Sequence, residues 1–97
     1  MRKITFRPAA EFELQEAHDW YEQRESALGD RFMACIADAV DTIRRHPEAH
    51  PIVHRHMRQS VLRRFPYSIL YFTIGDEIIV VSVFHSSRNP VIWQRRQ

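Results

Sequence analysis

Lysine is almost absent from this basic chain. Of fourteen cationic side chains among 97 residues, thirteen are arginine and only Lys3 is lysine. Glycine is nearly as scarce, with Gly29 and Gly75 alone. Two glycines so far apart build no phosphate-cradling loop, which excludes the nucleotide-binding motifs that depend on one. The single cysteine, Cys35, excludes an internal disulfide and fits a reducing cytoplasm. Its helical spacing to Ile36 and Ala39 makes it a buried structural thiol rather than a reactive one. The longest apolar stretch, Ile78 to Phe84, includes Ser82 and falls far short of the ~20 residues of a membrane helix. Residues 1–7 contain no apolar signal-peptide core. A cytoplasmic protein without membrane association is expected.

What is present is arginine, unevenly placed. Residues 1–57 hold ten acids and eight bases, a net charge of −2, whereas residues 58–97 hold two acids and six bases, a net of +4. Arginine pairs bidentately with carboxylates and phosphates, where lysine acts as a point charge. The C-terminal half therefore suits an acidic partner, protein or nucleic acid, although arginine also serves solubility alone. The length fits one domain, residues 1–97.

Along the chain, Lys3 to Arg7 alternates polar and apolar residues as a half-buried strand does. Pro8 ends it and fits the first turn of a helix. Glu11, Glu13 and Glu16 place acids near that helix's N-terminus. Ala10, Leu14, Ala17 and Tyr21 recur at helical spacing, and Phe12 and Trp20 widen the stripe, so Trp20 and Tyr21 are expected in the core. Ser26-Ala27-Leu28-Gly29 interrupts the pattern briefly, so a second helix should fold back antiparallel. Phe32, Ile36, Ala39, Val40 and Ile43 carry that helix, and Pro47 stops it. Residues 47–57 read as a loop. Residues 58–64, 67–73 and 77–84 read as strands, the last apolar on both faces and so interior to a sheet. Asn89-Pro90 marks a break before a short basic tail, 91–97. The order strand, helix, helix, three strands predicts an α+β fold, with a helical hairpin packed on one face of a mostly antiparallel sheet. The other face then needs a cover, a ligand or a partner.

Two groups of residues invite a chemical reading. His46, His50, His54 and His56 have no cysteine or acid cluster to complete a coordination sphere, and Pro51 argues against the helix that would align them. They read as a solvated loop, and no metal or cofactor is expected. Arg63, Arg64, Tyr67, His85, Ser86, Ser87, Arg88 and Trp93 flank the strands and can converge at one end of the sheet. Metal-free RNA cleavage needs a base, an acid and cations around the phosphate, and histidine, tyrosine and arginine are suitable types. Trp93 or Tyr67 could stack on a base.

The chain resembles the RelE/ParE superfamily of type II toxin–antitoxin toxins, and its ParE-like branch in particular. The resemblance is carried by Phe6-Arg7-Pro8-Ala9-Ala10, Asp19-Trp20-Tyr21-Glu22, Leu28-Gly29-Asp30-Arg31-Phe32 and Ile43-Arg44-Arg45-His46-Pro47. Leu62-Arg63-Arg64-Phe65-Pro66-Tyr67 and Phe84-His85-Ser86-Ser87-Arg88-Asn89-Pro90 with Trp93 complete it. It implies a toxin neutralised by a cognate antitoxin, touching operator DNA only through that antitoxin. RelE-like members cleave mRNA in the ribosome, while ParE-like members inhibit DNA gyrase. Where RelE-like enzymes carry a catalytic arginine after the middle-strand tyrosine, this chain has Ser68 after Tyr67. Their C-terminal tyrosine is matched by Trp93, which is neither acid nor base. The resemblance therefore favours a binding toxin over an enzyme. Arg58, Arg63, Arg64 and Arg88 are the expected antitoxin contacts, and Trp93, Arg95 and Arg96 the expected target contacts. Arg64, Tyr67, His85 and Arg88 are the catalytic set if the protein is a metal-independent endoribonuclease, and a non-toxic family member that only binds its antitoxin is the third reading.

Overall fold

In a computed structural model, which describes residues 2–96, β1 (Lys3–Phe6) leads directly into α1 (Pro8–Arg24). Pro8 occupies the first helical turn, where its missing N–H and fixed φ suit the helix. α2 (Leu28–Arg45) runs back along α1, as the brief interruption predicts. A 3-10 turn at Pro47–Ala49 follows, then β2 (Ile52–His54), β3 (Met57–Val61), β4 (Tyr67–Ile74) and β5 (Glu77–His85). A one-turn helix, α3 (Val91–Gln94), comes last. The five strands lie in the order β1-β5-β4-β3-β2, with β1 parallel to β5 and the other pairs antiparallel. This is the expected α+β arrangement with two additions. β2 falls inside the segment expected to be a loop, and α3 inside the expected basic tail.

The hairpin buries Ala10, Ala17, Tyr21, Phe32, Ile36 and Ile43 against Ile69, Tyr71, Ile78, Val80 and Val83 of the sheet. Phe12 and Trp20 do not join that stripe. They are 65% and 50% exposed, because Phe12 lies on the side of α1 opposite Ala10, Leu14, Ala17 and Tyr21, and Trp20 on the flank of that stripe, edge to face with Tyr21. The Arg24 guanidinium stacks on the Trp20 ring at 4.0 Å.

The opposite face of the sheet is covered by the chain itself. Met57, Leu70, Phe72, Val81 and Phe84 form a second apolar cluster, and Trp93 of α3 closes over it. Arg7 also reaches this face, with its guanidinium 5.3 Å from the Phe72 ring centre.

The hairpin turn is unusually tight. Ala27 adopts the left-handed conformation, φ 71°, which an alanine enters at a cost of about 1 kcal/mol. The Glu22 carboxylate accepts the Ala27 and Gly29 N–H groups, each at 2.9 Å. Those bonds hold its carboxyl below the usual carboxylate range. Gly29 lies against α1 so closely that a Cβ would stand 2.7 Å from the His18 carbonyl oxygen.

β5 is bulged. Leu70 pairs with Ser82 but Tyr71 with Val80, leaving Val81 as the extra residue. β1 pairs with β5 only as far as Val80. Past that point the outer edge of β5 has no strand beside it. Glu13 and Arg96 take the strand's place. Glu13 accepts the Val83 N–H (3.1 Å) and the Ser82 hydroxyl (2.9 Å), while Arg96 donates to the Val81 carbonyl (3.2 Å). The two side chains also form an ion pair at 3.0 Å, and Arg7 donates to the Arg96 carbonyl at 2.6 Å.

Candidate functional site: two grooves beside the helical hairpin

The segment between β3 and β4 has a simple pattern: apolar, arginine, arginine, apolar. Leu62 is buried and Phe65 inserts into an aromatic cluster with Tyr21, Phe32 and Tyr67. Ring centres in this cluster are 4.9–6.1 Å apart. With both ends anchored inward, Arg63 and Arg64 are turned outward and exposed. They rim a cavity of about 850 Å³ between α2 and this segment, floored by Leu28, Ala39 and Leu62. Arg31 also lines it, but Arg31 is paired with Glu25 at 2.6 Å. Arg63 and Arg64 meet no acidic partner among the described residues. Asp38 is the one acid in the lining, so the rim carries excess positive charge. Cys35 lines this groove half-exposed and is not the buried thiol expected.

A second cavity, of about 580 Å³, lies on the other side of the aromatic cluster, between α1 and the ends of β4 and β5. Tyr67, His85 and Arg88 share it. Tyr67 pairs with His85 across the strands, and their rings meet edge to face at 5.0 Å. Arg64 is not with them, since it lines the first groove. The expected catalytic set is thus divided, three residues in one groove and one in the other.

The chemistry of the second groove is constrained further. The backbone N–H of Ser87 can only donate, and it donates to His85 Nδ1 at 3.0 Å. The Ser87 hydroxyl lies 2.8 Å from the same nitrogen. The proton of the neutral imidazole therefore sits on Nε2, and the ring as placed offers a donor rather than a base. Burial pushes the Tyr67 hydroxyl above its usual range, which keeps it protonated. Two carboxylates line the groove, Glu13 and Glu16. Arg96 neutralises Glu13, which leaves Glu16 facing Arg88 with no excess of cations. Stabilising a phosphodiester transition state needs such an excess. Ser68 is directed away from this groove, toward the α3 side of the sheet, where its hydroxyl accepts from Gln59 Nε2 at 3.0 Å.

Three further candidates are committed within the chain. Arg58 donates to the carbonyls of Glu48 (3.2 Å) and His50 (2.7 Å), tying the 3-10 turn to β3. Trp93 is only 5% exposed, packed against Phe84 and His54, so its indole is no stacking platform. Arg96 is held by Glu13, which leaves Arg95 as the exposed arginine of the expected target contacts. The loop histidines do not gather: His50 packs on Tyr71, His54 on Trp93 and His56 on Phe72. Glu13 was not singled out by sequence, because its partners lie 69 to 83 residues away.

Over residues 4–90 the chain matches the model of the ParE toxin of type II toxin–antitoxin systems, parDE. The chain belongs to this ParE toxin family. The fold agrees: a solved chain from the chromosomal ParDE system of P. aeruginosa superposes with a TM-score of 0.63 at 18% identity. The match covers 88% of this chain and 96% of that one. No curated protein matches the sequence. No described helix is long and apolar enough to cross a membrane.

Proposed function

We propose that this ParE family member is a cytoplasmic toxin that acts by gripping a protein target, with DNA gyrase the first to test, and that a cognate antitoxin neutralises it. The observation that carries the reading is the division of the catalytic set: Arg64 lines one groove while Tyr67, His85 and Arg88 line another whose histidine already accepts a backbone N–H. Supercoiling by purified gyrase should fall in the presence of excess toxin. Supercoiling that persists while expression still arrests growth would sink the gyrase assignment. Primer extension on translated mRNA after induction tests the alternative, an mRNA interferase built on Tyr67, His85 and Arg88. New cleavage sites there would replace the binding reading.

The antitoxin has its own candidate surface. An apolar floor rimmed by Arg63 and Arg64 supports docking of an amphipathic acidic segment into the first groove. Reversing either charge, Arg63→Glu or Arg64→Glu, should weaken the toxin–antitoxin complex at least tenfold. Arg58→Glu should act mainly on stability, because that guanidinium is committed to two backbone carbonyls. Arg88→Glu reports whether the partner also wraps into the second groove. Equal affinity for the Arg63 and Arg64 variants and the native toxin would exclude this groove as the docking site. Any contact with operator DNA would run through the antitoxin.

A further inference from the structure

The tight turn of the hairpin brings together three metal-ligating side chains that neither groove uses. His18 and Glu22 are four apart on α1 and so project from one face of it. Asp30 enters from the first turn of α2, which can approach because residue 29 has no Cβ to strike the His18 carbonyl. One donor atom from each of the three lies within 4.8 Å of the others. His18 Nε2 stands 3.7 Å from Asp30 Oδ1.

We propose that His18, Glu22 and Asp30 form a binding site for a borderline divalent cation, of which Zn²⁺ is the natural probe. Zinc bound at 2.0–2.2 Å to N and O donors requires those donors about 3.0–3.5 Å apart. About 1 Å of side-chain movement closes the triangle, and Asp30, with 81% of its side chain exposed, is free to make it. The surroundings support the ligands as metal sites do. Asp19 Oδ1 lies 3.0 Å from His18 Nδ1, so a neutral imidazole donates there and turns the lone pair of Nε2 toward the other two ligands. Asp19 is itself held by Gln15 Nε2 at 2.9 Å. The Ala27 and Gly29 N–H groups fix both oxygens of Glu22 and leave each with accepting capacity. One imidazole and two carboxylates suit zinc or a neighbouring transition metal better than calcium or magnesium, which take oxygen ligands alone. Three protein ligands leave a position for water. The ion would staple the end of α1 to the start of α2.

Titration of the untagged full chain with ZnCl₂ by calorimetry tests this. One ion per chain is expected, with affinity falling at least tenfold in both His18→Gln and Asp30→Asn. A free concentration about ten times Kd should raise the melting temperature by roughly 5–10 °C. The triple variant His50→Gln, His54→Gln, His56→Gln should bind as the native chain does. If His18→Gln fails to fold, Asp30→Asn decides alone, because the Asp30 side chain is 81% exposed and its replacement leaves the core untouched. No heat and no shift in melting at 100 µM zinc would overturn the proposal, leaving the cluster as a histidine bridged by carboxylates. Binding lost only in the loop triple variant would overturn it equally.

Discussion

Replacing Glu13 by alanine should be among the most damaging single changes in this protein, even though Glu13 lies on a helix surface. Its side chain is 12% exposed and holds three groups at once: the Val83 N–H, the Ser82 hydroxyl and the Arg96 guanidinium. Val83 and Ser82 are buried, so water cannot readily replace the lost acceptor. A hydrogen bond to a charged group contributes about 1.5–3 kcal/mol, and stranding a buried donor costs about 1–3 kcal/mol. Breaking a fully buried ion pair costs 3–5 kcal/mol. Arg96 is 24% exposed and so keeps partial access to solvent, which puts the cost at the low end of that range. These costs describe the same contacts and overlap rather than add, so the loss is about 3 kcal/mol, and for a chain of this length each kcal/mol moves the melting temperature by roughly 4–8 °C. Calorimetry and urea unfolding should therefore show Glu13→Ala melting some 12–24 °C below the native protein. Arg96→Ala should lose about 1 kcal/mol, since Glu13 keeps its two strand partners. The double variant should be less destabilised than the sum of the singles. A Glu13→Ala protein melting within 2 °C of native would refute the view that this carboxylate stands in for a missing strand.

The turn yields a pair of opposite predictions. Gly29→Ala gains about 1 kcal/mol of helix propensity, but its Cβ would lie 2.7 Å from a backbone oxygen of α1, and overpacking costs about 1–3 kcal/mol. The clash should win, lowering the urea midpoint, while Ala27→Gly, which relieves a positive φ of 71°, should raise stability by about 0.5–1 kcal/mol. Burial, with Arg58 nearby, pushes the His50 imidazole below 6.5, so the folded state prefers it neutral. Its contribution is full above pH 6.5 and is lost as pH falls toward the lowered value. An NMR titration should place the His50 midpoint under 6.5, and His50→Gln should flatten the stability slope between pH 5 and 7.

Much of the fold could be read from the chain because its strongest signals are periodic. α2 repeats apolar residues every three to four positions from Phe32 to Ile43, and both ends of β4 are marked by turn residues. β2 escaped because three residues between Pro51 and His56 are too few to show alternation. α3 escaped because four residues, Val91 to Gln94, caught between Pro90 and two arginines, are too few to show a helical period. The bulge at Val81 shifts the inward residues of β5 from Ile78 and Val80 to Val83 and His85, so strict alternation could not say which way His85 faces. The separation of Arg64 from Tyr67 is equally invisible in sequence, where they stand three apart. It depends on Phe65 turning into the aromatic cluster between them.

β1 is synthesised long before the strand it pairs with. Lys3 pairs with Glu77, and Arg7 reaches a carbonyl 89 residues further along the chain. At a synthesis rate of roughly 5–20 residues per second, β1 leaves the ribosome about 4–15 s before the strand beside it exists. Pairing of such high sequence separation is slow to form. β1 therefore waits for β5, and a copy cut short before Tyr67 carries Arg63 and Arg64 without the β4 ring that helps anchor Phe65 beside them.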